Sequence, residues 1–321
     1  MKILANDGIS PEGVIALEKS GFEVNINNVP QADLIDAINK ENYVGVLVRS
    51  ATTVRKEVID SCPGLKLIGR GGVGMDNIDV DYARSKGLHV INTPGASSQS
   101  VAEMVMGKLF ALSRSLNDSY RNMPNLGDNQ FKVLKKKYGK GQELRGKTIG
   151  IVGFGRIGQA LASYALGIGM KVIAVDMQIN PVKIPLHIEG IGDVSITITP
   201  TPSREMVDVI GELDYISLHV PKQHNGAAVI GEEMIEGMKD GVIIINAARG
   251  GVIDEDALLA GLASGKIRAA GLDVFENEPN PRKDLLENEK IAATPHIGAA
   301  TAEAQTRIGL ELAEQITTLL S

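Results

Sequence analysis

The chain has few residues that can crosslink or stack. Its 321 residues include one cysteine, Cys62, no tryptophan and only 3% aromatic residues. A single cysteine excludes an internal disulfide and fits a reducing compartment, so we expect a cytoplasmic protein. No apolar run reaches the ~18 residues of a membrane span. The N-terminal apolar run soon meets Asp7, so we expect no signal peptide.

Acidic residues outnumber basic residues in this chain. There are 33 Lys and Arg against 39 Asp and Glu, a net charge of −6. Nucleic acids and anionic membranes need a basic face, so we expect neither as a partner. The scattered histidines, with the one cysteine, show no metal-ligand spacing, and no metal site is predicted. These histidines are His89, His187, His219 and His224.

Short apolar runs alternate with amphipathic segments, which is typical of a parallel sheet covered by helices. The length exceeds that of one usual domain, so two domains are expected. The predicted strands of the first series are Ile3–Ala5, Phe22–Ile26, Val44–Val48, Leu65–Ile68 and Leu88–Ile91. Those of the second series are Ile149–Val152, Val172–Val175, Tyr215–Leu218, Val242–Ile245, Ala269–Leu272 and Ile291–Ala293.

The segments outside the strands carry their own signals. Ser10-Pro11-Glu12 predicts a helix start and Gly21 its end. A capping box at Ser100–Glu103 opens a predicted helix, and the polar residues 117–142 predict a surface loop or frayed helix. Prolines and alternating polarity predict an inserted β-hairpin over residues 178–202. The last segment, 301–320, is predicted to be helical.

A glycine-rich sequence, Gly153-Phe154-Gly155-Arg156-Ile157-Gly158, follows one predicted strand, and the next strand ends on Asp176. The bare pattern is weak, but this context is that of the dinucleotide fingerprint. Its glycines allow a tight turn, approach of the pyrophosphate and close helix packing. Asp176 would bind ribose hydroxyls and repel a 2′-phosphate, which favours NAD over NADP. A glycine-rich turn without a ligand is the alternative.

Three charged side chains, Arg249, Glu278 and His296, each follow a predicted strand of the second series. The carboxyl ends of parallel strands form a ligand crevice, so we expect the three to converge. Histidine suits proton transfer at a carbonyl oxygen, and a nearby carboxylate would orient its ring. Arginine binds carboxylates in a two-pronged geometry. Singly, each has a plainer interpretation as a surface ion pair, a solvated acid or a turn residue.

These motifs resemble the D-isomer-specific 2-hydroxyacid dehydrogenase family over nearly the whole chain. The matching stretches are 153–158, NAARGGVIDEDAL at 246–258, AGLDVFENEP at 270–279 and TPHIGAAT at 294–301. The resemblance implies that Arg249 holds the substrate carboxylate and carbonyl, that His296 is the acid/base, and that Glu278 pairs with it. It also implies that Asp273 contacts the nicotinamide carboxamide and that Ala248 lies in the cofactor site.

The resemblance further implies two doubly wound α/β domains with parallel sheets, Rossmann-like and flavodoxin-like, with a cleft between them. Residues 1–98 and 290–321 would form the substrate-binding domain, and residues 99–289 the NAD-binding domain. Closure about a hinge is expected. The family also implies a homodimer formed through the NAD-binding domain. The chain ends soon after its last predicted helix, so we expect no C-terminal regulatory domain of the serine-responsive kind.

The N-terminal motifs VRSATT at 48–53 and GRGGVGMDNID at 69–79 resemble the phosphoglycerate dehydrogenase branch. In that branch, arginines at the positions of Arg49 and Arg70 help to hold a phosphate, as two guanidinium groups beside glycine-rich loops suit a dianion. Ser50, Val73 and Gly74 are further candidates for substrate binding. The predicted reaction is the NAD-dependent oxidation of D-3-phosphoglycerate to 3-phosphohydroxypyruvate, the first step of serine biosynthesis.

Other functions stay open at this point. Arg49 and Arg70 would pair with surface acids in an enzyme of different specificity. A glyoxylate/hydroxypyruvate reductase or a D-lactate dehydrogenase is the alternative within the family. A corepressor-like protein that senses NAD is the alternative that is not an enzyme. Arg249, Glu278 and His296 do not exclude it, because such relatives retain these residues too.

Overall fold

The computed structural model describes residues 1–223 and 225–320 and divides into two compact α/β units. The first unit consists of Met1–Ser100 together with the chain from Ala299 onward, and the second is Val101–Gly298. Each sheet that carries a candidate site is parallel, as predicted. His224, one of the scattered histidines, lies outside the described residues.

The first unit holds a five-stranded sheet with the order β2-β1-β3-β4-β5. Its strands are β1 (Lys2–Ala5), β2 (Glu23–Asn25), β3 (Tyr43–Val48), β4 (Leu67–Arg70) and β5 (His89–Asn92). Its helices are α1 (Pro11–Lys19), α2 (Leu34–Glu41), α3 (Lys56–Ser61), α4 (Val80–Ser85) and the C-terminal helix, Ala302–Leu320. This is the flavodoxin-like order, which reverses between β1 and β3.

Local sequence signals account for the start of this unit. Ser10 Oγ accepts the N–H of Gly13 at 3.2 Å, so Ser10 caps α1 as predicted. The C-terminal helix packs against α1 where both lack a side chain: a Cβ on Gly13 would lie 2.8 Å from the Cα of Gly309. The predicted helix over 301–320 is thereby confirmed and belongs to the first unit.

The second unit holds a seven-stranded parallel sheet with the order β10-β7-β6-β11-β12-β13-β14. Its strands are β6 (Thr148–Val152), β7 (Lys171–Asp176), β10 (Thr201–Pro202), β11 (Tyr215–Leu218), β12 (Val242–Asn246), β13 (Ile267–Leu272) and β14 (Ile291–Ala293). This is the Rossmann order with one added strand, and it reverses between β6 and β11. The glycine-rich loop follows β6 at that reversal.

In the part of the chain that the structure describes, seven further α-helices lie between α4 and the C-terminal helix. They are α5 (Ser98–Ser113), α6 (Leu116–Lys137), α7 (Arg156–Gly167), α8 (Met206–Val209), α9 (Glu232–Gly237), α10 (Glu255–Ser264) and α11 (Lys283–Leu286). Among the helices of the described residues, we find none whose length and hydropathy would suit a membrane span. The predicted hairpin is confirmed: β8 (Val182–Ile188) and β9 (Gly192–Ile198) form an antiparallel pair.

The polar residues 117–142, predicted as a surface loop or frayed helix, contain the long helix α6, whose one buried side chain is Leu134 and which is kinked at Gln130. Polar contacts connect its first turn with its end: Asp118 accepts a hydrogen bond from Tyr138 at 2.8 Å and pairs with Lys137 at 2.7 Å. The capping box predicted at Ser100–Glu103 is wrong, because α5 begins at Ser98, and Ser100 Oγ shares a hydrogen bond with Thr301 Oγ1 at 2.7 Å.

The two compact units divide at Ala299, whereas the C-terminal part of the substrate-binding domain was expected to begin at Lys290. The reason is that β14 pairs in parallel with β13, from Ala270↔Ile291 to Leu272↔Ala293, and so completes the sheet of the second unit. The turn that carries His296 therefore belongs to the same unit as Arg249 and Glu278.

Candidate active site

Arg249, Glu278 and His296 follow three neighbouring strands of the second unit. β12, β13 and β14 are adjacent and parallel, so their carboxyl ends share one edge of the sheet. Each of the three residues lies in the loop that leaves one of these strands. The predicted placement at strand ends is therefore what the structure has.

His296 and Glu278 form a hydrogen-bonded pair. His296 Nδ1 lies 2.8 Å from Glu278 Oε2, and Glu278 Oε1 accepts the main-chain N–H of Phe275 at 2.9 Å. The side chains are 39% and 35% exposed, so both remain accessible to a ligand. With both carboxylate oxygens engaged, Glu278 fixes the ring through Nδ1.

The turn that presents His296 is held by Asp273. Its Oδ1 accepts hydrogen bonds from Thr294 Oγ1 at 2.5 Å and Ile297 N at 3.0 Å, and its Oδ2 accepts from Gly298 N at 2.9 Å. Asp273 is only 1% exposed. His296 itself has a positive φ of 53°, a conformation that such bonds on either side can stabilise. The structure thus gives Asp273 a set of protein partners, in addition to the nicotinamide contact that the resemblance implies.

The Arg249 loop is closed by Asn246. Asn246 Oδ1 accepts from Ala248 N at 3.0 Å, and its amide donates to Arg249 O at 2.9 Å. Arg249 Nη1 donates to Ala248 O at 2.7 Å. A Cβ on Gly250 would lie 1.9 Å from Phe275 O, so the loops of Arg249 and Glu278 touch through main-chain atoms. This contact brings two of the three predicted residues onto adjoining loops.

The glycine-rich loop fits a dinucleotide. Gly153 has φ +91°, and a Cβ there would lie 2.5 Å from His219 O. A Cβ on Gly158 would lie 2.3 Å from Gly153 O, which explains the close packing of α7. A Cβ on Gly155 would have no described atom within 4 Å apart from those of its chain neighbours, so the main chain is open there to a ligand. Arg156 begins α7, and Ile157 is its second residue, so this open main chain lies at the positive end of a helix.

Asp176 lies at the end of β7, beside this loop. Its Oδ2 accepts the N–H of Phe154 at 2.5 Å, and its Oδ1 accepts that of Gln178 at 2.8 Å. Each carboxylate oxygen can accept further hydrogen bonds, so the group can still bind a ribose hydroxyl. The main-chain bonds hold the negative charge beside the glycine-rich loop.

The candidate substrate-binding residues of the first unit also lie at or after strand ends. These strands are β3 and β4, next to the point between β1 and β3 where the strand order changes direction. Arg49 and Ser50 follow β3, Arg70 ends β4, and Val73 and Gly74 lie in the next loop. Ser50 and Val73 are exposed.

The loop after β3 is held in place by Asp7, which follows β1. Its Oδ2 accepts the N–H groups of Arg49 at 2.6 Å and Thr52 at 3.0 Å. Asn77 supports the other side by donating to Arg49 O at 2.9 Å and Thr52 O at 2.6 Å. Arg49 therefore stands on a braced loop at the position where doubly wound sheets bind ligands.

Comparison with known proteins identifies the family of this chain. The family model for "D-isomer specific 2-hydroxyacid dehydrogenase, NAD binding domain" matches residues 106–298. A hydroxypyruvate reductase of Thermotoga maritima is 43% identical over 98% of this chain and 97% of its own. This chain belongs to the D-isomer-specific 2-hydroxyacid dehydrogenase family.

Two further members of the family extend the comparison. A D-3-phosphoglycerate dehydrogenase of Methanocaldococcus jannaschii is 41% identical over 100% of this chain, which spans only 57% of that relative's length. The solved D-lactate dehydrogenase of Aquifex aeolicus, complexed with NAD and lactic acid, matches with a TM-score of 0.76 and 28% identity, over 100% of this chain and 95% of its own. The family confirms the predicted cofactor, NAD, and the predicted class of 2-hydroxyacid dehydrogenase.

Two residues that hydrogen-bond to strand ends or to the loops after them, one in each unit, were not predicted from the sequence. Asp7 follows the first strand, but nothing in its spacing distinguishes it from a surface acid. Lys108 falls in the apolar register of α5 with Val101, Val105 and Leu112, and a lysine in that register was the available signal. Within residues 1–223 and 225–320, no group of His, Cys, Asp and Glu is arranged to hold a metal ion.

Proposed function

We propose that this enzyme interconverts a D-2-hydroxy acid and its 2-keto acid, with His296 as the acid/base, Glu278 as its partner and Arg249 as the ligand of the substrate carboxylate. The observation that carries the proposal is the 2.8 Å contact between His296 and Glu278 beside the Arg249 loop. Bound NADH supplies the hydride that reduces the keto carbon, and NAD accepts it in the reverse direction.

The chain's own residues manage the proton. In reduction, Nε2 of protonated His296 donates a proton to the keto oxygen as the alcohol forms. In oxidation, neutral His296 takes that proton back from the hydroxyl. Glu278 is hydrogen-bonded to Nδ1, so it keeps Nε2 as the nitrogen that exchanges the proton, and it stabilises the charged ring. Arg249 fixes the acid end of the substrate through charge-assisted hydrogen bonds.

We further propose that the preferred substrate is phosphorylated: 3-phosphoglycerate in oxidation and 3-phosphohydroxypyruvate in reduction. Arg49 and Arg70 of the first unit support this proposal, because they follow and end the neighbouring strands β3 and β4, and two guanidinium groups suit a dianion. This assigns substrate binding to the first unit and NAD binding to the second. Reduction of unphosphorylated hydroxypyruvate is the second candidate, since the Thermotoga maritima reductase is 43% identical over nearly its full length.

The test is NADH oxidation with 3-phosphohydroxypyruvate, hydroxypyruvate, glyoxylate and pyruvate under identical conditions. We expect the highest kcat/KM with 3-phosphohydroxypyruvate. A higher value with any unphosphorylated acid contradicts the substrate proposal and leaves the dehydrogenase proposal intact. NADH binding without turnover of any of the four acids contradicts both and favours the corepressor-like alternative.

A homodimer is also proposed. Its support is a set of exposed apolar side chains on the consecutive helices α5 and α6, namely Phe110, Tyr120, Met123 and Phe131. Exposed clusters of large apolar residues commonly mark contact surfaces. Light scattering of the purified protein should give twice the chain mass, and replacement of Phe110 by Glu should lower it to the monomer value.

A further inference from the structure

Lys108 is a buried lysine at the carboxyl ends of two strands. It lies in α5 and is 7% exposed. Its ammonium group donates to the main-chain oxygen of Ala292 at 2.9 Å and to that of Leu272 at 3.3 Å. The first oxygen belongs to β14 and the second to β13, so one side chain joins the two strands that lead to His296 and Glu278.

The strands are shaped to admit this side chain. A Cβ on Gly271 would lie 3.0 Å from Lys108 Cδ, closer than side chains ordinarily pack. The oxygen of Leu272 that Lys108 binds also accepts the N–H of Thr294 at 2.9 Å, at the start of the His296 turn. The lysine is thus bonded to the same carbonyl that fixes where this turn begins.

Charge gives a second reason to single out Lys108. Burial lowers the pKa of its ammonium group to about 8, and the negative charge of Asp273 opposes that shift. A buried ammonium group is costly unless it has partners, and an apolar residue would fill the same space at lower cost. Asp273 is the carboxylate that holds Ile297 and Gly298, on the far side of His296.

We propose that Lys108 is a positioning residue for the acid–base pair: it ties the ends of β13 and β14 together and balances the charge of Asp273, so that the 294–298 turn presents His296 to the substrate. Lys108 acts through His296 and is not itself a catalytic residue. The inference rests on the role proposed above for His296.

The test replaces Lys108 by methionine, which keeps an unbranched chain of similar length and removes the charge and the donors. We expect kcat to fall roughly ten- to a hundredfold, as a small misplacement of a catalytic group costs about that much. The Kd for NADH should change less than about threefold. The matched control is Lys290→Met, since Lys290 also donates to a main-chain carbonyl, that of Leu262, and should leave kcat unchanged. A kcat for Lys108→Met within about twofold of wild type overturns the proposal.

Coupling to His296 separates a positioning role from a general structural one. In the His296→Asn background, Lys108→Met should change the residual kcat less than about twofold, because there is no ring left to position. A further tenfold loss in that background overturns the proposal. If His296→Asn alone retains wild-type turnover, the proposed function fails instead. If the Lys108→Met variant does not fold, Lys108→Gln takes its place, because its amide keeps a donor without the charge. The same expected changes in kcat and in the Kd for NADH then apply to Lys108→Gln.

Discussion

Glu278 holds two hydrogen bonds with one carboxylate: Oε2 lies 2.8 Å from His296 Nδ1, and Oε1 accepts Phe275 N at 2.9 Å. A glutamine has a single oxygen and cannot accept both. Glu278→Gln should therefore lower kcat roughly ten- to a hundredfold. His296→Asn removes the proposed acid/base itself and should lower kcat roughly 10²–10⁴-fold. The measurement is steady-state turnover alongside NADH binding by fluorescence, which should be retained in both variants. If Glu278→Gln keeps wild-type turnover, the carboxylate has no part in the reaction.

The NAD preference is predicted to depend on Asp176. This carboxylate is fixed beside the glycine-rich loop by Phe154 N and Gln178 N, where it would repel a 2′-phosphate. Asp176→Ala should narrow the ratio of kcat/KM for NADH over NADPH by roughly tenfold or more. Asp193→Ala is the matched control, because Asp193 lies in the exposed hairpin and pairs with His187. A wild-type enzyme that prefers NADPH would contradict this prediction before any variant is made.

The contact between the Arg249 and Glu278 loops depends on Gly250. A Cβ there would lie 1.9 Å from Phe275 O, a main-chain atom that cannot move without its loop. Gly250→Ala should destabilise the second unit by about 1–3 kcal/mol and lower kcat, since both loops carry site residues. The readouts are thermal unfolding and turnover. Gly167→Ala in α7 is the control: apart from its chain neighbours and the backbone of α7, no described atom lies within 4 Å of a Cβ built there, so the change should be neutral or slightly stabilising.

Stability is predicted to fall in mild acid because of His219. Burial lowers the pKa of this ring to about 4, and its Nδ1 has no hydrogen-bond partner among the described residues. The unfolded chain takes up the proton near pH 6.5, so this contribution is complete above that pH and is lost as the pH falls toward 4. The loss at pH 5 is on the order of 2 kcal/mol.

The measurement for His219 is the melting temperature from pH 7.5 to 5. The decline with falling pH should be smaller in His219→Gln than in wild type. His187→Gln provides the comparison, because the His187 ring is 70% exposed and should leave the decline unchanged. Equal slopes in wild type and His219→Gln would assign the acid sensitivity to other groups.

The strands and the strand-end residues were predictable because each depends on local pattern. Apolar runs gave the positions of the parallel strands, and the chemistry that follows three of them gave Arg249, Glu278 and His296. The helix α6 was not predictable in this way, since its support comes from the polar contacts of Asp118 with distant Lys137 and Tyr138. Lys108 and Asp7 were missed for a related reason: their partners lie far along the chain, and only the fold brings them together.

The specificity for a phosphorylated substrate is predicted to depend on Arg49 and Arg70. A charged hydrogen bond contributes about 1.5–3 kcal/mol, and about 1.4 kcal/mol is tenfold in an equilibrium constant. Arg49→Ala or Arg70→Ala should lower kcat/KM for 3-phosphohydroxypyruvate roughly ten- to a hundredfold. The value for hydroxypyruvate should change much less, because that substrate has no phosphate to lose.

The ratio of these two kcat/KM values is the decisive quantity, because it cancels any general loss of active protein. Arg55→Ala is the matched control: Arg55 belongs to the same unit and pairs with Asp79 at 3.1 Å, so its removal should leave the ratio unchanged. Asp7→Asn adds a second check. It weakens the hydrogen bonds that hold the Arg49 loop, while both arginine side chains are still present. It should lower the ratio less than Arg49→Ala does. An unchanged ratio in both arginine variants would remove the basis for a phosphorylated substrate and favour hydroxypyruvate.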